Sequence, residues 1–145
     1  APNLKHLRLA NNHLQPAGIL KLVRSDLFKN LISIDLSRTG LDNDTAIEIF
    51  SSDPFSTCGI TLTLNGNPLE DSALESFYQS ATSTRLRALH IADTNVSYDG
   101  VRLLTSSHAF PTLKRLTLSK RTFSYEDQEK LNKEATAKGL AIRWR

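Results

Sequence analysis

The side chains best suited to bond-making chemistry in this chain are four histidines, His6, His13, His90 and His108, and a single cysteine, Cys58. Two kinds of chemistry would use them. Histidines that converge can hold zinc, provided each nitrogen reaches about 2 Å from the metal. A thiol beside a histidine can be activated as a nucleophile. Both demand that distant residues meet, and no C-x-x-C pair, P-loop or G-x-G-x-x-G segment is present to bring chemistry to one place. Whether these five residues meet depends on the elements that carry them.

Those elements repeat. The pattern L-x-x-L-x-L-x-x-N-x-L runs through the chain in five copies. The first is Leu4, Leu7, Leu9, Asn12, Leu14, and the second Leu31, Ile34, Leu36, Thr39, Leu41. The third keeps Leu62, Leu64, Asn67 and Leu69, with Gly59 in its first position. Leu86, Leu89, Ile91, Thr94, Val96 and Leu113, Leu116, Leu118, Arg121, Phe123 complete the series. The fourth pattern position falls at 7, 34, 62, 89 and 116, a spacing of 27, 28, 27 and 27. A fixed period of this size predicts a solenoid whose repeats share one core. The L-x-L centre of each copy alternates, as a strand with one buried face does. Polar or glycine-containing breaks follow at Asn11-Asn12, Thr39-Gly40, Asn65 to Pro68 and Asp93 to Asn95. Helix-like runs come next, with Asp44, Asp71 or Ser72, and Asp99 as expected N-caps.

This pattern resembles the leucine-rich repeat family over nearly the whole chain, and its period resembles the ribonuclease-inhibitor-like subclass. The resemblance implies an α/β horseshoe, with a parallel sheet on the concave face and helices on the convex face. It also implies a ladder in which the pattern Asn bonds the backbone of neighbouring turns. That ladder reads Asn12, Thr39, Asn67, Thr94, Arg121. Thr can replace Asn in part, whereas Arg only donates, so the ladder is expected to fail at the fifth copy. The chain reads as a single repeat domain, 1–145, with repeats at about 1–27, 28–55, 56–82, 83–109 and 110–136 and a cap strand at about 139–145. Gly139 is the expected helix stop, and either Leu140 or Ile142 could take the place of Leu116 in the last strand. The chain enters a repeat at once and lacks Met, so the expectation is the C-terminal part of a longer protein.

The repeats answer the opening question. His6 and His90 fall on strands three repeats apart, roughly 14 Å by strand spacing, too far to share a metal. His108 belongs to a different part of its repeat. Cys58 precedes the third strand, where a buried structural thiol is the simpler reading. No cofactor, metal site or catalytic residue is expected.

Charge is uneven. Formal net charge is +3, but residues 1–83 hold 6 Lys/Arg against 9 Asp/Glu, and residues 84–145 hold 12 against 6. A basic end favours an acidic partner, although such charges also solubilise a terminal repeat. No apolar run approaches the 18 or so residues of a membrane span. A lone cysteine excludes an internal disulfide framework, and extracellular relatives of this repeat type usually carry cysteine-rich caps. The expected location is therefore cytoplasmic, with the nucleus as a second compartment. Two glycosylation sequons, Asn43-Asp44-Thr45 and Asn95-Val96-Ser97, are common enough by chance in so polar a chain.

The resemblance places the residues that flank the inward leucines on the concave face. The rows are His6/Arg8/Ala10, Ser33/Asp35/Ser37, Thr61/Thr63/Asn65, Ala88/His90/Ala92 and Arg115/Thr117/Ser119. No aromatic residue lies among them, so arginine is the strongest anchor type available. The expected function is a protein–protein interaction module. Its contacts are His6, Arg8, Asp35, His90 and Arg115 on the sheet and Arg38, Asp93 and Lys120 on the strand-end loops. Two alternatives accompany it. One is a structural extension of a longer solenoid with no site of its own. The other is a GTPase-activating repeat protein, a group whose repeats Leu9-Ala10-Asn11-Asn12-His13-Leu14 resembles no more than it resembles the subclass at large. Nucleic acid is disfavoured, because the first half would repel phosphate and no aromatic platform accompanies the basic residues.

Overall fold

The computed structural model describes residues 4–26, 31–51, 60–79, 85–106 and 110–145. Strands and helices alternate along the chain: β1 (His6–Arg8), α1 (Gln15–Val23), β2 (Ser33–Asp35), α2 (Asn43–Phe50), β3 (Ile60–Thr63), α3 (Asp71–Tyr78), β4 (Leu86–His90), α4 (Tyr98–Thr105), β5 (Arg115–Leu118), α5 (Tyr125–Ala137) and β6 (Ala141–Trp144). The strands form one parallel sheet in the order β1-β2-β3-β4-β5-β6, and the sheet is open. This is the α/β repeat solenoid expected from the period. Adjacent strands align Leu7, Ile34, Leu62, Leu89, Leu116 and Ile142 in one row. Ile142 therefore takes the place of Leu116 in the last strand, which settles the alternative left by the sequence. Gly59, Cys58 and His108 lie outside the described residues.

The helices cover one face because their buried positions recur with the same period as the strands. Val23, Phe50, Phe77, Leu104 and Leu131 fall 27 residues apart and are all buried. Phe50 and Phe77 stack ring on ring between α2 and α3. Ala46, Ala73 and Gly100 form a second column, also buried, of small residues. A side chain on Gly100 would collide with the Asp71 carboxylate, which accepts hydrogen bonds from the Ser97 backbone N–H and hydroxyl. Small residues there let α3 and α4 approach.

Helix starts differ from expectation. Asp42, not Asp44, caps α2, its carboxylate accepting from the Thr45 N–H at 2.8 Å. The Thr45 hydroxyl first, and then this backbone N–H, hold the Asp42 carboxyl below the usual carboxylate value of 3.8. Glu70 and Ser97 occupy the cap positions of α3 and α4 without side-chain cap bonds, while Asp71, Ser72 and Asp99 lie inside the first turns. The carboxylates one or two positions into the helix still meet the positive end of the dipole, and Asp71 bonds the start of the next helix instead of its own. Sequence alone separates the cap from the first turn poorly, because acids suit both.

The asparagine ladder is concentrated on one residue. Asn67, buried, donates to the carbonyls of Leu36, Leu64 and Asn65 and accepts from the N–H groups of Thr39 (3.3 Å) and Leu41 (3.1 Å). Asn12 is exposed and, among the described residues, donates within its own turn, to Leu9 and Ala10. Thr39 and Thr94 likewise donate to their own turns, to Leu36 and Ile91. At the fifth copy Arg121 is exposed in a 3-10 turn, Lys120–Thr122, and the ladder ends as expected. The Gln128 side-chain amide, from α5, donates instead to the carbonyls of Lys120 and Phe123. Gly139 follows α5 with a φ of 78°, a left-handed conformation that an L side chain disfavours.

The candidate interaction face

The face away from the helices is built from alternate residues of six strands. Strand alternation puts the aligned leucines toward the helices, so their neighbours must point the other way. The middle row of this open face runs Arg8, Asp35, Thr63, His90, Thr117, Arg143 in direct register. A second runs His6, Ser33, Thr61, Ala88, Arg115, Ala141. Six strands at about 4.7–4.9 Å give a face roughly 24 Å across.

Several small residues on this face present little surface, while Ser33, Thr61 and Thr63 are half-buried. Ser37, Asn65, Ala88, Ala92, Thr117 and Ser119 are all buried, because strands on both sides and longer neighbours cover them. Several tie strands together. The Asn65 side-chain oxygen accepts from the Ala92 N–H at 2.8 Å, and the Ser119 hydroxyl accepts from the Asp93 N–H at 2.6 Å. The exposed set is His6, Arg8, Arg115 and the final arginines Arg143 and Arg145, with Asp35 and His90 half-buried.

The sequence-predicted residues divide into groups. Arg8 and Asp35 are register partners and line a depression of about 280 Å³ with Ser33, Thr61 and Thr63. His6, on the same end, shares a 2.6 Å hydrogen bond with the Ser33 hydroxyl. The Asp35 carboxylate accepts from the Ser37 N–H at 2.9 Å, which orients it along its own strand. His90 lines a second depression of about 320 Å³, with Thr63, Asn65, Thr117, Arg143 and Arg145. Arg115 flanks it, two residues along β5 from Thr117. Arg143 and Arg145 belong to this group and were not among the predicted contacts. Their signal was present in the alternation of residues 140–145, because the Leu140 and Ile142 registers differ by two residues and both turn Arg143 and Arg145 to the open face; the register decides only their row.

Arg38, Asp93 and Lys120 stand at the strand ends, at the same place in successive repeats as Asn11 and Gly66. Asn11, Arg38, Gly66 and Asp93 all adopt left-handed φ, 64°, 52°, 70° and 55°. Asn, Asp and Gly accept this conformation readily, and Arg does not. Arg38 is held there by its N–H bond to the Asn65 carbonyl and pairs with Asp93 at 3.8 Å. Both partners are exposed, so the pair contributes little stability, about 0–1 kcal/mol. Lys120 is exposed and opens the 3-10 turn.

His90 is half-buried on this face, and its proton affinity is shifted. Burial lowers its pKa from the ordinary 6.5, and Arg115, Arg143 and Arg145 lower it further, against a smaller opposite pull from Asp35. Its Nδ1 shares a 2.7 Å hydrogen bond with the Thr117 hydroxyl. The imidazole is therefore neutral at pH 7. In a proton-detected titration its midpoint should fall below 6.5, and Arg115→Gln with Arg143→Gln should move it upward. Because the unfolded chain binds this proton more tightly, the stability linked to His90 is complete above 6.5 and is lost as pH falls through the folded value. A midpoint above 6.5 in the folded protein would refute the assigned burial and arginine field.

No group of three or more His, Cys, Asp or Glu residues is placed to hold a metal among the described residues. His6 and His90 stand three strands apart. No helix among the described residues is long and apolar enough to cross a membrane. The second sequon is open at Asn95, whereas Asn43 of the first bonds the Glu70 N–H and the Ser72 hydroxyl, and Thr45 is buried.

A family model described as leucine-rich repeat matches residues 1–23. No curated protein matches the chain. The matched residues include β1 and α1, one strand-and-helix unit of the kind that the rest of the chain repeats. Repeats of this type form protein-interaction modules in general. The match to the first unit and the six-stranded parallel solenoid together support a leucine-rich repeat family for this chain.

Proposed function

We propose that this chain is a protein-interaction module whose partner lies across the open face of the sheet and the strand-end loops. The observation that carries this reading is the contrast along the face. Several of its small residues are buried and tie neighbouring strands together into a floor, while Arg8, Arg115, Arg143 and Arg145 stand exposed on it. Among the described residues these four arginines form no ion pair. A floor tied in this way lowers the ordering cost of binding, and arginine is the anchor type this surface offers. His6, Asp35 and His90 add polar contacts, and Arg38, Asp93 and Lys120 extend the surface along one rim. No residue of a catalytic constellation enters this reading, which separates it from a GTPase-activating role.

The test is capture of partners by the chain beside two variants. One carries Arg8→Glu, His90→Glu and Arg115→Glu on the open face. The other carries Glu48→Lys and Glu75→Lys on exposed helix positions. Proteins retained by the parent and the helix variant but lost from the face variant support the proposal. Equal capture by all three chains, or capture by none, would count for a solenoid extension without its own site.

A further inference from the structure

We infer that the β4–β6 end of the open face is an oxyanion site that takes the carboxylate side chains of an acidic, extended protein segment. The inference rests on the proposed interaction role and specifies the ligand chemistry of one end of the face.

Three observations carry it. First, the charges are of one sign. The open-face positions of β4, β5 and β6 and the residues that continue them are Ala88, His90, Ala92, Arg115, Thr117, Ser119, Ala141, Arg143 and Arg145, with no acid among them. A surface that is charged only for solubility intersperses both signs. Second, the arginines are uncompensated. Arg115 and Arg143 stand on neighbouring strands, Arg145 continues the same strand as Arg143, and none pairs with a carboxylate among the described residues. Like charges held this close repel one another, and an incoming anion relieves the repulsion. Third, the floor between them is a depression of about 320 Å³ with hydrogen-bonding groups on it. The hydroxyls of Thr63 and Thr117 lie there, and the Asn65 amide, whose oxygen is engaged by the Ala92 N–H, has its NH2 left to donate. Guanidinium with hydroxyl and amide donors is the donor set that suits a carboxylate.

The size of the site and its surroundings indicate a peptide. Three strands span roughly 10 Å, the length of about three extended residues at 3.3 Å each. Nucleic acid would call for aromatic platforms, and the face has none. Asp35, in the same row on β2, would repel a phosphate backbone continuing across the sheet but tolerates a peptide that is acidic at one end only. The neutral His90 beside the arginines adds to the site on acidification, because a bound carboxylate favours its protonated form.

The test uses fluorescence anisotropy with a labelled Glu-rich peptide, its Gln counterpart, a phosphoserine counterpart and a single-stranded RNA. The proteins are the parent chain, Arg143→Gln with Arg145→Gln, Arg143→Lys with Arg145→Lys, and Lys133→Gln on the exposed side of α5 as a charge control. The Glu peptide should bind the parent chain and the Gln peptide should not. The double Gln variant should weaken binding by about tenfold or more, and Lys133→Gln by less than about threefold. The Lys pair should retain part of the affinity, and added salt should weaken the parent complex. The double Gln variant should also unfold at a temperature no lower than the parent, since it loses repulsion and no partner. Equal binding of Glu and Gln peptides would overturn the inference, as would Glu-peptide binding indifferent to Arg143 and Arg145. So would RNA or phosphoserine binding with the Glu peptide at background. Loss of the carboxylate site alone, with captured partners still dependent on the open face, would leave the broader interaction role standing.

Discussion

Replacing Asn67 with Ala is expected to destabilise the protein by about 3 kcal/mol, whereas the same change at Asn12 should cost under about 1 kcal/mol. Both residues occupy the same position of the repeat pattern, so sequence gives them equal weight. Their surroundings do not. Asn67 is buried, and its oxygen is the acceptor for two backbone N–H groups of the preceding turn, Thr39 and Leu41. Alanine leaves both donors with no acceptor in a site closed to water, at about 1–3 kcal/mol each. The Leu36 carbonyl across the repeat boundary also loses its 2.9 Å bond from the Asn67 amide. Asn12 is exposed and, among the described residues, serves carbonyls of its own turn, which water can reach once the side chain is gone. Asn67→Asp should be as harmful as alanine, because a carboxylate keeps the two accepted bonds but faces the carbonyls of Leu36 and Leu64 with no proton to donate. Asn67→Thr should fall between, since Thr39 and Thr94 at the equivalent positions satisfy their own turns without crossing to the neighbour. Urea unfolding with an unchanged denaturant slope measures all four. Equal losses for Asn67→Ala and Asn12→Ala would refute the cross-turn role.

The strand face was legible in the sequence because a strand alternates with a period of two, and the leucine pattern fixed its phase in every copy. Arg8, Asp35, His90 and Arg115 were placed on the open face on that ground. The pattern could not show that Ala88, Ala92 and Thr117 on the same face are buried, since that depends on neighbours contributed by other repeats. Arg143 and Arg145 fall on the open face in both registers of the last strand, which differ by two residues, and only their row stayed open. Only pairing of Leu116 with Ile142 selects between them. Helix caps were misassigned for a related reason. Asp42 and Asp44, or Glu70 and Asp71, both suit the positive end of a helix, and backbone geometry decides between them. The left-handed turn at Arg38 is a further case. The Gly in Asn65-Gly66-Asn67 marks such a turn, but an arginine at the equivalent place carries no such mark.

Phe77→Ala should be the most destabilising single change in the helical layer, at about 3–5 kcal/mol. Phe77 is fully buried on α3 and stacks on Phe50 of α2, in a column that Val23, Leu104 and Leu131 continue on α1, α4 and α5. Stability in a solenoid is close to a sum of single-repeat terms and interfaces between neighbours. A central residue of the column belongs to two interfaces, and truncating it opens a cavity against both α2 and α4. Val23, on α1, is smaller, so Val23→Ala removes less volume and should cost clearly less. Phe77→Leu should recover much of the loss, to within about 1–2 kcal/mol of the parent, because leucine fills the same column position at 104 and 131. With a total stability of about 5–15 kcal/mol for a domain, the alanine variant would stand near the edge of unfolding. Hydrogen exchange locates the damage. Amides of α2, α3 and the β3 strand should lose protection first, while α5 and β6 keep theirs. Since β3 carries Thr63 and its following turn carries Asn65 on the open face, the same variant should weaken partner binding without touching any residue of that face. If exchange instead rose uniformly from β1 to β6, the column would act as one cooperative unit, and the nearest-neighbour account of this solenoid would be wrong.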